Sequence, residues 1–419
     1  MPTIMWVGER TVMTMRWLGL GLVASQIGRL VLNGCVEWFD RGRWAWQNGA
    51  SMSRSQASAP HVPPSPDTAD RTNWDLNDLI RRSGFSTPVH GCERLKGDAS
   101  NRTYSRIQLA AGSVPATLIL MELAEPEAFK RSEEAISSSD SSVTELPFLN
   151  IQRYLSSRGL GVPRIYNYDV KGGRLVLEDL GDLTLWDAVA GAPSERIESL
   201  YRLAIDELVK LQADAADTAP SQCLAFGRRF DRALLVWEFE HFLEYGVEAR
   251  NRAAVPPEQN GKIRMAFERI AEEITSAPSV LVHRDYHSRN LMVTDGRIRL
   301  IDFQDALVGP LTYDLASLLR DSYVTIEEPL VDRLISYYLS VAKGPLQDPT
   351  AFRRLFDLTS LQRNLKAAGR FVYIEKVKGR STHLPYVGPT LRSVRRNLGK
   401  YADLEDLRNL LSPLVPELA

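Results

Sequence analysis

Hydrophobic and polar positions change rhythm twice along the chain. From Tyr104 to Leu109 apolar and polar residues alternate, Ala116 to Leu123 is an apolar run, and Leu175-Val176-Leu177 is another. These patterns predict strands, interrupted by one helix around Phe148 to Ser157. After Leu180 the spacing becomes three and four, as in Ile197, Leu200, Tyr201, Ala204, Ile205, Leu208 and Leu211. That stripe predicts an amphipathic helix. Further helices are predicted around Arg232 to Tyr245, Lys262 to Ile274, Asp314 to Asp321, Pro329 to Val341 and Thr350 to Lys366. The chain is therefore read as α+β, with a small sheet-rich lobe over 73–180 and a larger helical lobe over 181–419.

Ahead of these lobes, residues 51–70 (SMSRSQASAPHVPPSPDTAD) are rich in Ser, Pro and Ala and almost lack large apolar side chains. Such a stretch buries too little surface to order itself. Residues 1–72 are read as an extension and linker, poorly ordered. Arg10 and Arg16 precede an apolar run from Trp17 to Ser25, the outline of a signal peptide or an anchoring segment. The run soon meets Gln26, Arg29 and Asn33, too short for the ~20 apolar residues of a membrane span. No stable membrane insertion is expected.

The 419 residues suffice for two or three compact units. A formal charge of −1 gives no general pull toward nucleic acid. The three cysteines, Cys35, Cys92 and Cys223, lie far apart, suggesting neither a disulfide framework nor a zinc set. A reducing, cytoplasmic setting is expected.

The densest polar cluster is HRDYHSRNLM, residues 283–292, between apolar Ser279 to Val282 and Leu291 to Val293. Leu291 to Val293, Asp295-Gly296 and Ile298 to Ile301 read as strand, tight turn and return strand. Opposed residues of such a hairpin bring Asn290 and Asp302 together at its open end, beside the loop carrying Asp285. One amide and one carboxylate oxygen suit Mg²⁺ shared with a nucleotide phosphate. Asp285 is then available to accept a hydroxyl proton. Taken singly, these residues could equally cap a hairpin.

Together they spell H-x-D-x-x-x-x-N followed by an aspartate, the order found in protein-kinase catalytic and metal-binding loops. HRDYHSRNLMV, IDFQD and YDLASLLRD resemble the aminoglycoside phosphotransferase-like kinase family. Within it, GDASNRTYSRI, FLNIQRYL, LVLEDLG and FQDALVGPLTYDLASLLRDSY are similar to bacterial cell-wall-recycling kinases acting on the anomeric hydroxyl of N-acetylmuramate and N-acetylglucosamine. The similarity spans about 73 to 410. It implies a two-lobed protein-kinase-like fold, ATP and Mg²⁺ as cofactors, Asp285 as catalytic base, and Asn290 and Asp302 as metal ligands. His283 and Arg284 are expected to brace the loop, and Asp314 to cap its helix or support that loop.

In register with the family motif, Gly97, Asp98, Ala99 and Ser100 form the expected phosphate-covering turn. The third strand, ATLILME, lacks the lysine that protein kinases carry there. Arg102 and Arg106 are the candidate replacements, with Lys96 and Lys130 behind them, unless metal supplies most of the neutralisation. Glu145 is left without an assigned role. Backbone near Glu178 to Leu180 is the candidate adenine edge, although Glu178 and Asp179 fit equally as solvated charges.

Charge bears on the acceptor. Between Arg353 and Lys400 twelve Lys/Arg face only Asp357 and Glu375. A basic pocket would repel cationic acceptors and suit the carboxylate of N-acetylmuramate. Arg370, Lys376 and Arg380 surround Phe371-Val372-Tyr373, a candidate sugar platform. His287, Arg289, Gln304, Asp305 and Arg370 are the candidate substrate contacts, with the roles of His287 and Arg289 left open.

Overall fold

The computed structural model describes residues 76–95, 102–123, 145–213, 222–342 and 348–419. The extension expected over 1–72, the turn Gly97, Asp98, Ala99 and Ser100, and Lys96 and Lys130 lie outside these residues.

A short helix at 76–82 precedes strands β1 (Val89–Arg94), β2 (Arg102–Leu109) and β3 (Thr117–Leu123). Helix α1 (Pro147–Ser157) follows, then β4 (Ile165–Asp169) and β5 (Arg174–Glu178). The five strands form one antiparallel sheet in the order β1-β2-β3-β5-β4. Because alternate residues face opposite sides, Ile107, Leu118, Leu120 and Val176 cover Leu79 and Ile80 of the first helix. Tyr104, Met121, Leu175 and Leu177 turn the other way, into the main core. Arg102 and Arg106 share this second face of β2 by the same period.

Beyond Glu178 come α2 (Leu185–Val189), α3 (Ser194–Leu211), α4 (Arg232–His241), α5 (Pro257–Thr275), α6 (Tyr313–Leu319), α7 (Glu328–Val341), α8 (Pro349–Lys378), α9 (Val387–Leu398) and α10 (Glu405–Leu411). Between α5 and α6 lie β6 (Ser279–Val282), the hairpin β7 (Leu291–Thr294) to β8 (Arg297–Leu300), and β9 (Leu307–Pro310), which pairs with β6.

Two helices depart from the apolar pattern. Helix α8 runs twelve residues past Lys366, ending only at Gly379 with φ 67°. It buries Asp357, Thr359, Ser360, Gln362 and Asn364 as well as apolar residues, so polarity does not mark its solvent face. Helix α4 gives way at Phe242 to a π-helical segment, Phe242–Ala249. There α8 comes close: a Cβ on Gly369 would lie 2.8 Å from the Phe242 Cα.

The hairpin is tied back to the sheet-rich lobe. Arg299 Nη2 donates to Glu178 Oε2 at 2.8 Å and to the Val162 carbonyl at 2.9 Å. The Leu300 N–H donates to the Gly161 carbonyl at 2.6 Å, and Thr294 Oγ1 to the Leu180 carbonyl at 2.7 Å.

Candidate active site

The polar decad leaves the end of β6 and is held from beneath by Asp314 of α6. Its carboxylate accepts the backbone N–H of His283 at 2.6 Å and of Arg284 at 3.0 Å. Of the two roles open to Asp314, the structure gives loop support. Burial pushes this carboxyl up, opposed by His283 and those two N–H donors. Arg284 adopts φ 80°, a conformation uncommon for residues other than glycine. Arg363 of α8 donates to its carbonyl at 2.8 Å. His283 Nε2 donates to the Ile301 carbonyl at 3.0 Å, joining the loop to the return strand. Both residues brace the loop.

Asp285 lies at the wall of a cavity of about 160 Å³ lined by Trp237, Glu238, His241, Arg284, Asp305, Lys366 and Arg370. Burial disfavours its charge, yet Lys366, His287, Arg363 and Arg284 prevail and hold its carboxyl well below the usual range. A carboxylate ionised beside an open cavity can accept a hydrogen bond from an alcohol and orient its oxygen.

Asp295 (φ 51°) and Gly296 (φ 72°) close the hairpin, a left-handed pair matching the twist of antiparallel strands. Leu291 pairs with Leu300, and the Ile301 N–H donates to the Asn290 carbonyl at 3.1 Å, so Asn290 and Asp302 flank the open end. Asn290 Nδ2 donates to the Asp285 carbonyl at 3.0 Å, which leaves Oδ1 as the amide atom for a cation. Asp302 is left-handed at φ 63°, and its side chain is 44% exposed. Phe303 after it is buried and stacks on Phe148 of α1, with ring centroids 4.8 Å apart. An exposed carboxylate and an amide oxygen form a hard, incomplete donor set of the kind Mg²⁺ completes with phosphate oxygens and water. Among the described residues, no group of three or more His, Cys, Asp or Glu could hold a metal. The donor set fits a cation shared with a ligand.

The two candidate arginines of β2 part company. Arg102 Nη1 approaches Asp302 Oδ1 at 3.5 Å. Arg106 is instead taken up at the junction of the lobes by Asp179, at 2.6 and 3.1 Å, and by Asp182 at 2.8 Å. Both carboxylates raise its pKa further, and its charge is already compensated. Glu178 is no solvated charge: it accepts from Arg299 and from the Arg164 N–H at 3.0 Å. The Leu180 carbonyl is occupied by Thr294. Glu145 pairs with Arg153 at 2.5 Å and accepts from Asn150 at 3.2 Å, ordering the start of α1.

Of the candidate substrate contacts, Asp305 and Arg370 line the cavity, whereas His287, Arg289 and Gln304 do not. Gln304 is buried, and its Nε2 donates to Asp302 at 2.9 Å and Asp305 at 3.1 Å, holding both carboxylates. Arg289 is enclosed by Trp186, Tyr323 and Tyr386, whose ring centroids are 4.7, 3.8 and 5.2 Å from its Cζ. It also donates to the Tyr386 hydroxyl at 2.9 Å. His287 packs edge-on to Tyr323 and meets Asn290 Nδ2 at 3.4 Å. Phe371 is buried against Tyr323, His383 and Tyr386 and is no sugar platform; the rings that line the cavity are Trp237 and His241. Part of the basic stretch is neutralised outside the cavity, with Arg354 on Glu273 and Asp403, and Lys400 on Asp357.

Trp237, Glu238, His241 and Lys366 also line the cavity and belong to none of the sequence motifs. Trp237 and His241 are four apart and share a helix face; Glu238, set between Trp237 and Phe239 directly after the apolar run Ala233 to Val236, was the available signal.

Sheet-rich lobe, helical lobe and this constellation between them define a small-molecule kinase. The chain belongs to the phosphotransferase enzyme family, whose model matches residues 91–355. It is 33% identical over 274 residues to the N-acetylmuramate/N-acetylglucosamine kinase of Neisseria meningitidis serogroup B, covering 64% of this chain and 79% of that protein. The enzyme of the same name from Pseudomonas putida is 30% identical over 345 residues, 81% of this chain and 93% of that one. Among solved structures, the choline kinase LicA from Streptococcus pneumoniae shares the fold, with a TM-score of 0.52, 16% identity, and coverage of 80% of this chain and 100% of that chain.

Proposed function

We propose that the protein transfers the γ-phosphoryl group of ATP to the anomeric hydroxyl of N-acetylmuramate or N-acetylglucosamine, in peptidoglycan recycling. The observation that carries this reading is Asp285, set at the wall of a small polar cavity beside Lys366 and Arg284 and fixed to Asn290 through its own carbonyl. The names of the Neisseria and Pseudomonas relatives supply the acceptor. A cytoplasmic setting, where ATP is available as donor, is part of this proposal.

In this reading the acceptor hydroxyl donates to Asp285, which aims its oxygen at the phosphorus. A carboxylate held so far below the usual range is a weak base. That suffices, because a loose phosphoryl-transfer transition state needs little proton removal before bond making. Positioning and charge stabilisation then carry most of the rate. Asn290 Oδ1 and the Asp302 carboxylate would hold Mg²⁺, which when bound neutralises phosphate charge. Arg102, beside Asp302, takes over neutralisation that the third strand leaves undone. Trp237 offers an apolar face to a sugar ring at the cavity wall.

The test is a purified-enzyme screen of phosphate transfer from ATP to N-acetylmuramate, N-acetylglucosamine, kanamycin and choline. The expected product is an anomeric phosphate ester seen by phosphorus NMR. Preference for either cationic acceptor would overturn the proposal.

A further inference from the structure

The acceptor cavity contains three permanent cations, Arg284, Lys366 and Arg370, and they are not equally available. Glu238, wholly buried on α4, takes Lys366 at 2.9 Å and Arg284 at 3.4 Å. Its other oxygen accepts from Gln362 Nε2 at 2.8 Å. One carboxylate thus engages two cations at the cavity floor. Arg370 stands one helical turn beyond Lys366 on the same face of α8. Among the described residues no carboxylate lies within ion-pairing distance of it, although Asp285 and Asp305 line the same cavity. Its guanidinium lies over the ring of Tyr373, 4.8 Å from the centroid, and the side chain is half-buried.

We propose that Arg370 is a specificity-determining residue that binds an acceptor carboxylate. This rests on the amino-sugar reading above. The reacting hydroxyl must face Asp285, so a carboxylate-bearing substituent elsewhere on a single sugar ring is left to face another wall of the same small cavity. Of the two cavity cations on α8, Lys366 is committed to Glu238, whereas Arg370 meets no carboxylate at ion-pairing distance among the described residues. A guanidinium presents a planar fork that matches a carboxylate with two parallel hydrogen bonds, and contact with the Tyr373 ring restricts the side chain in advance. N-acetylmuramate carries such a carboxylate and N-acetylglucosamine does not. Arg370 therefore sets the preference between them.

The test compares kcat/KM for N-acetylmuramate, its methyl ester and N-acetylglucosamine in the full-length wild type, Arg370→Ala and Arg370→Lys. Wild type is expected to favour the acid over the ester by about tenfold or more, the scale of a charge-assisted hydrogen bond. In Arg370→Ala that ratio should fall close to one, mainly through KM for the acid, with Arg370→Lys between. Arg370→Gln, which keeps part of the stem, replaces the alanine variant if the latter does not fold. A ratio that survives removal of the guanidinium overturns this inference and leaves the kinase reading intact, as does an equal loss of kcat for all three acceptors. If the wild type phosphorylates none of the three, the amino-sugar reading fails and this inference falls with it.

Discussion

The side-chain amide of Asn290 donates to the backbone carbonyl of Asp285 across 3.0 Å, so the residue suited to a cation is fastened to the residue suited to a proton. Both halves of that amide then matter. Asn290→Asp keeps an oxygen for the metal and loses the nitrogen, placing a carboxylate against the Asp285 carbonyl. It is expected to lower kcat about as far as Asn290→Ala, on the order of 10²-fold, the scale of lost positioning. Titration of both variants with Mg²⁺ checks this; an aspartate variant rescued to wild-type turnover would reduce Asn290 to a metal ligand alone. In the wild type, EDTA should abolish turnover and excess Mg²⁺ restore it.

Asp285→Asn keeps the shape of the side chain and removes its negative charge and its ability to take up a proton. Turnover should fall by about 10² to 10⁴, the usual worth of a positioned acid or base. Thermal unfolding should show the fold intact, since Asp314 and Arg363 hold the loop through its backbone and not through this side chain. Wild-type turnover in this variant would remove Asp285 from the chemistry.

The same electrostatics set a pH dependence. Lys366, His287, Arg363 and Arg284 hold Asp285 below the ordinary carboxylate value of 3.8, which favours its ionised form at neutral pH. The kcat/KM profile should show no protonation of Asp285 between about pH 5 and 8. Glu238 is also depressed, by Lys366, Arg284 and Gln362 against the cost of burial. A lowered folded-state pKa contributes stability present above the unfolded value, 4.5, and lost as pH falls through the folded one. Urea midpoints measured from pH 7 down to 3 should therefore fall less steeply for Glu238→Gln than for wild type, from a lower starting point.

Arg289 tests a third kind of contact. Three rings surround its guanidinium, and cation–π attraction is worth roughly 0.5 to 2 kcal/mol depending on desolvation. Arg289→Ala should cost about 1 to 3 kcal/mol of unfolding free energy once the lost hydrogen bond to Tyr386 is included. Arg289→Lys should recover part of it, since an ammonium keeps the attraction and loses the planar stacking. An unfolding curve for Arg289→Ala that superposes on wild type would show the enclosure to be energetically idle.

How far the sequence revealed this molecule depends on whether local pattern or tertiary environment decides each part. The hairpin carrying Asn290 and Asp302 was legible because Asp295-Gly296 specifies its own turn and two four-residue strands fix the register. Helix α3 was legible because six buried residues keep a clean stripe. Helix α8 was legible only as far as Lys366, because Gly369 and the β-branched Val372 and Ile374 beyond it have low helix propensity and packing alone carries the helix on to Lys378. Arg106 shows the limit for charges: its sequence neighbourhood resembles that of Arg102, yet Asp179 and Asp182, more than seventy residues away, claim it. Trp237 could not be distinguished from an ordinary core aromatic until α4 and α8 were seen to share a cavity.

The ties of the hairpin have one further consequence. Arg299, Leu300 and Thr294 fasten it to the sheet-rich lobe, while Asp314 and Arg363 fasten the Asp285 loop to α6 and α8. The two sets of moorings meet at the His283 to Ile301 hydrogen bond. The spacing between the proton acceptor and the cation-facing carboxylate is therefore set jointly by the sheet-rich lobe and by α6 and α8, with His283 as the link that joins the two anchorages.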